Sequence, residues 1–515
     1  MESKKPSAPD RAVLSVSRGK GAGLLCLAAA VLFVAASVLF RKEFLLWKHI
    51  PLVGVLAVVC GLAFAAVPTV LYAQTHERRL TRCFIASFAA FQVVLWALLT
   101  AINVGGSYNR RAVGVAFCVL FTVFGALCFL TFRRLAGRGK TGLRKTAAVL
   151  LCLCFLAGAL VSVFQLDSIN LVPGVDKLVH GGEQAFFEDW SPEQPFDRTY
   201  AVELQKDPEK DFVVLNLADI QLTDGEATGE MGEQVRRNTD RLVALTQPDL
   251  ITLSGDNAWG TQAYLELVKM LESYGVPWAP VMGNHDGQSC PDEFWCAYQF
   301  AHAKNCLFKY GPAGMGYGNY IINVTQNGEI IHTLFLMDTH SDIEEDNVNG
   351  PAGENYDHLW EEQLAWYSWA VDGIAAAAGR PVESTVIFHI PLYEYKTAWD
   401  EATGGADWEA DHDAPFTGAY AETSYGVRHE YGGWPPQSNG FFDLIKQKGS
   451  TKNVVAGHDH VSDYSIVYEG VRLTYALKDG PGCYWEPELN GGTTVVIDQS
   501  GAATVAHRFI DFNAD

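Results

Sequence analysis

The stretch Pro277-Trp278-Ala279-Pro280-Val281-Met282-Gly283-Asn284-His285-Asp286 decides the fold. An apolar run that stops at Gly-Asn-His-Asp predicts a buried strand whose C-terminal end delivers polar side chains to a site. Ligands of open α/β sheets collect at that edge. Gly and Asn also mark ordinary turns, so the tetrapeptide alone is a modest signal. Four further strand ends add weight: Asp219-Ile220-Gln221, Gly255-Asp256-Asn257, His389 in Phe388-His389-Ile390-Pro391, and Gly457-His458-Asp459-His460. Singly, Asp219 or Asp256 reads as a helix cap, and His389 as a hydrogen-bonded core histidine. Five in series, each closing an apolar run, do not.

Around these ends the pattern alternates. Residues 212–217, 250–253 and 277–282 predict strands, and 233–246 and 261–274 predict helices by their apolar spacing. Such alternation argues for a layered α/β domain with helices outside. Residues 320–324 and 331–337 predict a hairpin around Gln326-Asn327-Gly328. A helix over 355–374 and short strands at 386–388 and 454–456 follow. The Gly-, Trp- and Tyr-rich insertion 397–439 has no periodicity; its Tyr420, Arg428 and Trp434 are candidates for a substrate wall or for an ordinary surface excursion.

Charge divides the 515 residues near position 166: 19 Lys+Arg against 4 Asp+Glu before it, 19 against 55 after it. The front holds five stretches of the length that crosses a hydrocarbon core, at about 22–40, 50–73, 83–104, 112–132 and 146–166, none with an interior charge. They predict an all-α transmembrane bundle over 1–166, then a linker over 167–204 and a soluble domain over 205–515. Lys and Arg number 14 in the tail and the second and fourth loops, against 5 in the first and third. That asymmetry places the tail inside. The acidic domain is then expected outside the cytoplasmic membrane, on a multi-pass anchor. A net charge of −36 on this part opposes nucleic acid as a partner. Cys290, Cys296, Cys306 and Cys483 fit no zinc spacing and leave open one or two disulfides.

Asp, Asn and His suit a pair of borderline divalent metals. A carboxylate such as Asp256 can bridge two ions, and two ions about 4 Å apart clamp an in-line phosphoryl displacement. His340, after another apolar run, is a further candidate to approach the site; the remaining histidines read as surface or packing residues.

With these motifs, residues 205–515 resemble the calcineurin-like metallophosphoesterases, in the purple-acid-phosphatase-related, Dcr-type branch. The resemblance implies a four-layer α/β/β/α sandwich with two divalent or trivalent ions (Mn, Fe or Zn). It implies that Asp219 and His460 hold the first metal, that Asn284, His389 and His458 hold the second, and that Asp256 bridges. His285 would stand beside the metals as the catalytic residue, with Asp286 orienting its imidazole. A metal-bound hydroxide would attack phosphorus in line. The family's first motif is usually Asp-x-His; here it is Asp219-Ile220-Gln221, and Gln221 is a neutral, harder ligand that predicts a weaker or differently selective first site. The expectation is a membrane-anchored phosphoesterase acting on a small or lipid-linked phosphate ester, monoester or diester. The alternative is a metal-binding sensor ectodomain with reduced catalysis.

Overall fold

Central strands buried on both faces set the layers. The computed structural model describes residues 182–288, 290, 292–341 and 356–512. The five predicted spans lie outside them, and among the described residues no helix is long and apolar enough to cross a membrane.

The strands are β1 Val202–Gln205, β2 Phe212–Leu217, β3 Leu250–Ser254, β4 Trp278–Val281, β5 Tyr320–Gln326, β6 Glu329–Leu336, β7 Glu383–Phe388, β8 Thr451–Ala456, β9 Ser465–Tyr468, β10 Val471–Tyr475, β11 Gly491–Ile497 and β12 Ala503–Phe509. The helices are α1 Asp224–Ala227, α2 Glu230–Thr246, α3 Thr261–Ser273, α4 Glu293–Ala301, α5 Glu361–Ala378, α6 Glu394–Ala402, α7 Tyr420–Thr423 and α8 Phe441–Lys448. Two sheets form, ordered β1-β5-β6-β7-β8-β10-β9 and β12-β11-β2-β3-β4.

In β5 to β8 successive side chains face opposite sides, as the strand period requires. Phe335, Val386, Phe388 and Val454 join one core with Trp366 and Ile374 of α5, Trp399 of α6 and Phe441 of α8. Leu334, Leu336, Ile387 and Val455 join the other core, with the small sheet and Leu242 of α2, Tyr264 of α3 and Phe300 of α4. Helices thus cover the far face of the large sheet, and the two sheets share the second core. Strands buried on both faces read as continuous apolar runs.

The predicted hairpin forms: β5 and β6 pair antiparallel, and Asn327 and Gly328 both take positive φ, 54° and 84°. That is the backbone a tight two-residue hairpin demands. The helix predicted over 355–374 starts later, at Glu361, where Gln363 accepts from the Trp360 backbone N–H. Part of the insertion is ordered as α6 and α7, with Tyr425 and Arg428 bridged to Ser465 and Ser462. Strands β2, β3 and β4 run parallel, as do β7 and β8. Their C-terminal ends therefore emerge together on each sheet. All four cysteines of this region are free thiols, so neither disulfide left open by the sequence is formed.

Candidate metal centre

Each candidate ligand sits just beyond a strand. Asp219 and Gln221 follow β2, Asp256 follows β3, Asn284 follows β4, His389 follows β7, and His458 and His460 follow β8. The backbone turns sharply at these points: φ is 53° at Asp219, 42° at Gln221, 49° at Asp256 and 79° at His458. Left-handed geometry at a non-glycine residue costs on the order of 1–3 kcal/mol and persists only where the surroundings enforce it. Here Asp219 N–H donates to Gly255 O and Gln221 N–H to Asp256 O, both at 3.2 Å, tying the ends of β2 and β3 together. Gly255, at φ 92°, has no room for a side chain: a Cβ would stand 2.5 Å from His389 Nδ1.

Two groups of ligand atoms result, Asp219–Asp256–His460 and Asp256–His389–His458, each with its atoms within 4.8 Å of one another and all residues buried. They share Asp256. His389 Nδ1 donates to Ser254 O at 2.9 Å, which turns Nε2 toward Asn284 Oδ1 at 2.9 Å, His458 Nδ1 at 3.1 Å and Asp256 Oδ1 at 3.4 Å. His460 Nδ1 likewise donates to Tyr484 O at 2.9 Å, leaving Nε2 3.6 Å from Asp219 Oδ1. Anchoring one ring nitrogen on a carbonyl while freeing the other is how metal-binding imidazoles are oriented. Gln221 Nε2 donates to Asp256 Oδ2, while its Oε1 is buried without a partner. A buried acceptor beside two carboxylates and a histidine fits a cation. The residues present therefore fit a pair of metal ions.

Electrostatics agree. Burial, reinforced by the neighbouring Asp256 charge, pushes the Asp219 carboxyl up to about 7. Burial opposes ionisation of Asp256 too, but the His389 imidazole outweighs it and holds this carboxyl below its ordinary range. Burial would discharge His389; the carboxylates of Asp256 and Asp219 instead raise it to about 9. Burial lowers His458 and His460 well below the usual range, assisted by the positive charges of His389 and Lys478 respectively. The neutral imidazoles of His458 and His460 and the firmly ionised Asp256 are in the forms that ligate metals. His389, held cationic by the carboxylates, would release its proton to an incoming ion.

His285 is half-buried beside the centre, its backbone N–H donating to Asp256 Oδ1 at 2.9 Å. Its imidazole is not oriented by Asp286, contrary to the sequence expectation. Asp286 points inward and accepts from Asn257 N and Nδ2, both at 2.8 Å, from Gly283 N at 2.7 Å and from the Tyr264 hydroxyl. Adjacent side chains in this turn diverge, so the carboxylate braces the ends of β3 and β4. The His285 ring instead stacks on Trp259, centroids 4.8 Å apart, with Nδ1 2.7 Å from Gln288 Oε1. Neither partner was singled out from sequence. Position 288, three residues after His285 in a turn, was the available signal.

Other candidates stand apart from the ligand groups. His340 spends its Nε2 on Gln363 Oε1 at 2.8 Å and stacks on Trp360. Arg428 is buried between the rings of Trp408 and Trp434, at 4.9 and 4.6 Å, and Tyr420 donates to Glu401 at 2.8 Å. The insertion nevertheless reaches the centre through Gly433, where a Cβ would lie 2.2 Å from His458 Nε2.

The profile of the calcineurin-like phosphoesterase family matches residues 212–462, the span from β2 to just beyond His460. Among curated proteins, the chain is 28% identical over 264 residues to "Probable inactive purple acid phosphatase 14" of Arabidopsis thaliana, covering 46% of this chain and 59% of that protein. It is 24% identical over 328 residues to "Probable inactive purple acid phosphatase 29" of the same plant, covering 56% and 77%. It is 25% identical over 327 residues to "Phosphatase DCR2" of Saccharomyces cerevisiae, covering 58% and 53%. The chain thus spans little more than half the length of the first and last of these relatives. It carries a calcineurin-like metallophosphoesterase domain, with purple-acid-phosphatase-related and DCR2 homologues.

Proposed function

We propose that this domain is a dinuclear-metal phosphoesterase acting on a small or lipid-linked phosphate ester. The observation that carries the proposal is the pair of buried ligand groups sharing Asp256, with His285 hydrogen-bonded through its backbone to the same carboxylate. Asp219, Gln221, Asp256 and His460 would hold one ion, and Asp256, Asn284, His389 and His458 the other. When bound, the ions supply water activation and charge neutralisation at the phosphoryl group. The chain's own residues do the rest. Asp256 aligns the two sites, Ser254 and Tyr484 carbonyls aim the ligand imidazoles, and His285 presents Nε2 to a phosphoryl or leaving-group oxygen. Residues 1–166 would anchor the domain to the membrane and, by their Lys/Arg asymmetry, hold it outside the cytoplasm.

A second reading, a metal-binding domain with lost turnover, draws on Gln221 and on relatives named inactive. The full chain, stripped of metal and reloaded one ion type at a time, decides between them on generic phosphomonoester and phosphodiester substrates. Metal-dependent turnover that is abolished in Asp256→Asn and falls about 100-fold or more, to a measurable residue, in His285→Ala supports the phosphoesterase. Stoichiometric metal binding without turnover on either substrate supports the second reading.

A further inference from the structure

The side chain that carries His285's orientation is identifiable. His285, Asp286, Gly287 and Gln288 form one turn, closed by Gln288 N–H donating to His285 O at 3.1 Å. Such a turn brings its fourth side chain back over its first. Gln288 Oε1 thereby comes within 2.7 Å of His285 Nδ1. An amide oxygen only accepts, so Nδ1 must carry the proton in that contact. Nε2 makes no hydrogen bond to any described residue, and Trp259 covers one face of the ring. The Trp259 backbone is tied down by its main-chain N–H donating to Leu222 O at 2.9 Å, just beyond Gln221. The residue is therefore held at three points, its backbone N–H on Asp256, and its ring on Trp259 by one face and on a neutral amide through Nδ1.

We propose that Gln288 is a positioning residue, which holds the Nδ1 proton and the direction of His285 so that Nε2 faces the phosphoryl group. A second proton carried at Nε2 would be the one offered to a phosphoryl or leaving-group oxygen. No carboxylate takes that part: Asp286, next in the chain, is committed to Asn257, Gly283 and Tyr264. A neutral acceptor orients the ring without adding negative charge where a phosphate dianion must approach. The proposal rests on the phosphoesterase reading for its kinetic consequence, though not for the tautomer.

Two measurements on the full chain test it. Long-range ¹H–¹⁵N correlation of histidine-labelled protein, with His285→Ala to identify the signal, should show the Nδ1–H tautomer of His285 in the wild type and its loss in Gln288→Leu. A wild-type Nε2–H tautomer would overturn the proposal whether or not the protein turns over substrate. In kinetics, Gln288→Leu should lower kcat about 10- to 100-fold with KM and bound metal unchanged. Gln288→Glu, which restores the acceptor but adds a negative charge beside the phosphate, should restore the Nδ1–H tautomer yet recover only part of kcat. In a His285→Ala background the same Leu substitution should change kcat less than about twofold, since the two side chains act as a unit. An equal loss in both backgrounds would make Gln288 merely structural. Absence of turnover in the wild type would defeat the phosphoesterase reading and leave the tautomer measurement to decide this one.

Discussion

Asp286 offers a sharp test of how the strand ends are braced. Its two oxygens accept four hydrogen bonds, two from Asn257, one from Gly283 N and one from Tyr264. Asp286→Ala strands all four donors in a buried site, and each such group costs about 1–3 kcal/mol, not additively. Against this stands a relief. Burial and the Asp256 charge raise the Asp286 carboxyl to about 6, so its ionised form already carries a penalty of about 3 kcal/mol that the substitution removes. The expected net loss is about 4 kcal/mol, near the upper end for single substitutions. Asp286→Asn keeps one acceptor oxygen and turns an NH2 toward two donors, for a loss of about 2 kcal/mol. At roughly 2 °C per kcal/mol for a domain of this size, thermal unfolding should shift down by about 8 °C and 4 °C. Because Asn257 and Gly283 adjoin Asp256 and Asn284, metal affinity measured by titration should fall in the same order. An Ala variant within about 1 °C of wild type, with unchanged metal affinity, would refute the bracing role.

Three further outcomes follow from other parts of the molecule. Gln221→His should tighten the first metal site about tenfold or change its preferred ion, because imidazole is the softer and stronger donor; an unchanged profile in metal titration would remove Gln221 from the ligands. His332 is fully buried, bonded to Gly501 O at 2.8 Å and to the Thr385 hydroxyl at 3.0 Å, and burial lowers it to about 4. Between pH 6.5 and 4 the unfolded chain binds a proton that the folded chain refuses, so stability falls as pH falls. Urea unfolding of metal-stripped wild type should lose about 3 kcal/mol more over that window than His332→Asn, and parallel pH profiles would contradict this. Cys483 is exposed, so a membrane-impermeant maleimide should label it in intact cells, with Cys483→Ser as control. Labelling only after lysis would place the domain inside.

Much of the fold was legible because its strands are buried on both faces and stop abruptly. The run before Gly283 becomes β4, and the Asn327-Gly328 turn becomes the β5–β6 hairpin, since both depend on local chemistry. Strands β9 to β12 went unpredicted. The first two are short, and β11 takes its place only by pairing with β2 from the opposite end of the domain.

Residue types at strand ends were enough to nominate Asp219, Gln221, Asp256, Asn284, His389, His458 and His460. That is because a polar residue ending an apolar run must leave the core at the sheet's edge. Only the tertiary structure could say which of their atoms meet. It draws two ligand groups from two sheets, and it leaves Gln221 Oε1 without a partner. It also gives His285 to Gln288 and Trp259 rather than to its neighbour Asp286. Neighbours in a chain diverge at a turn, and a side chain's partners are set by what the rest of the fold brings within hydrogen-bonding distance.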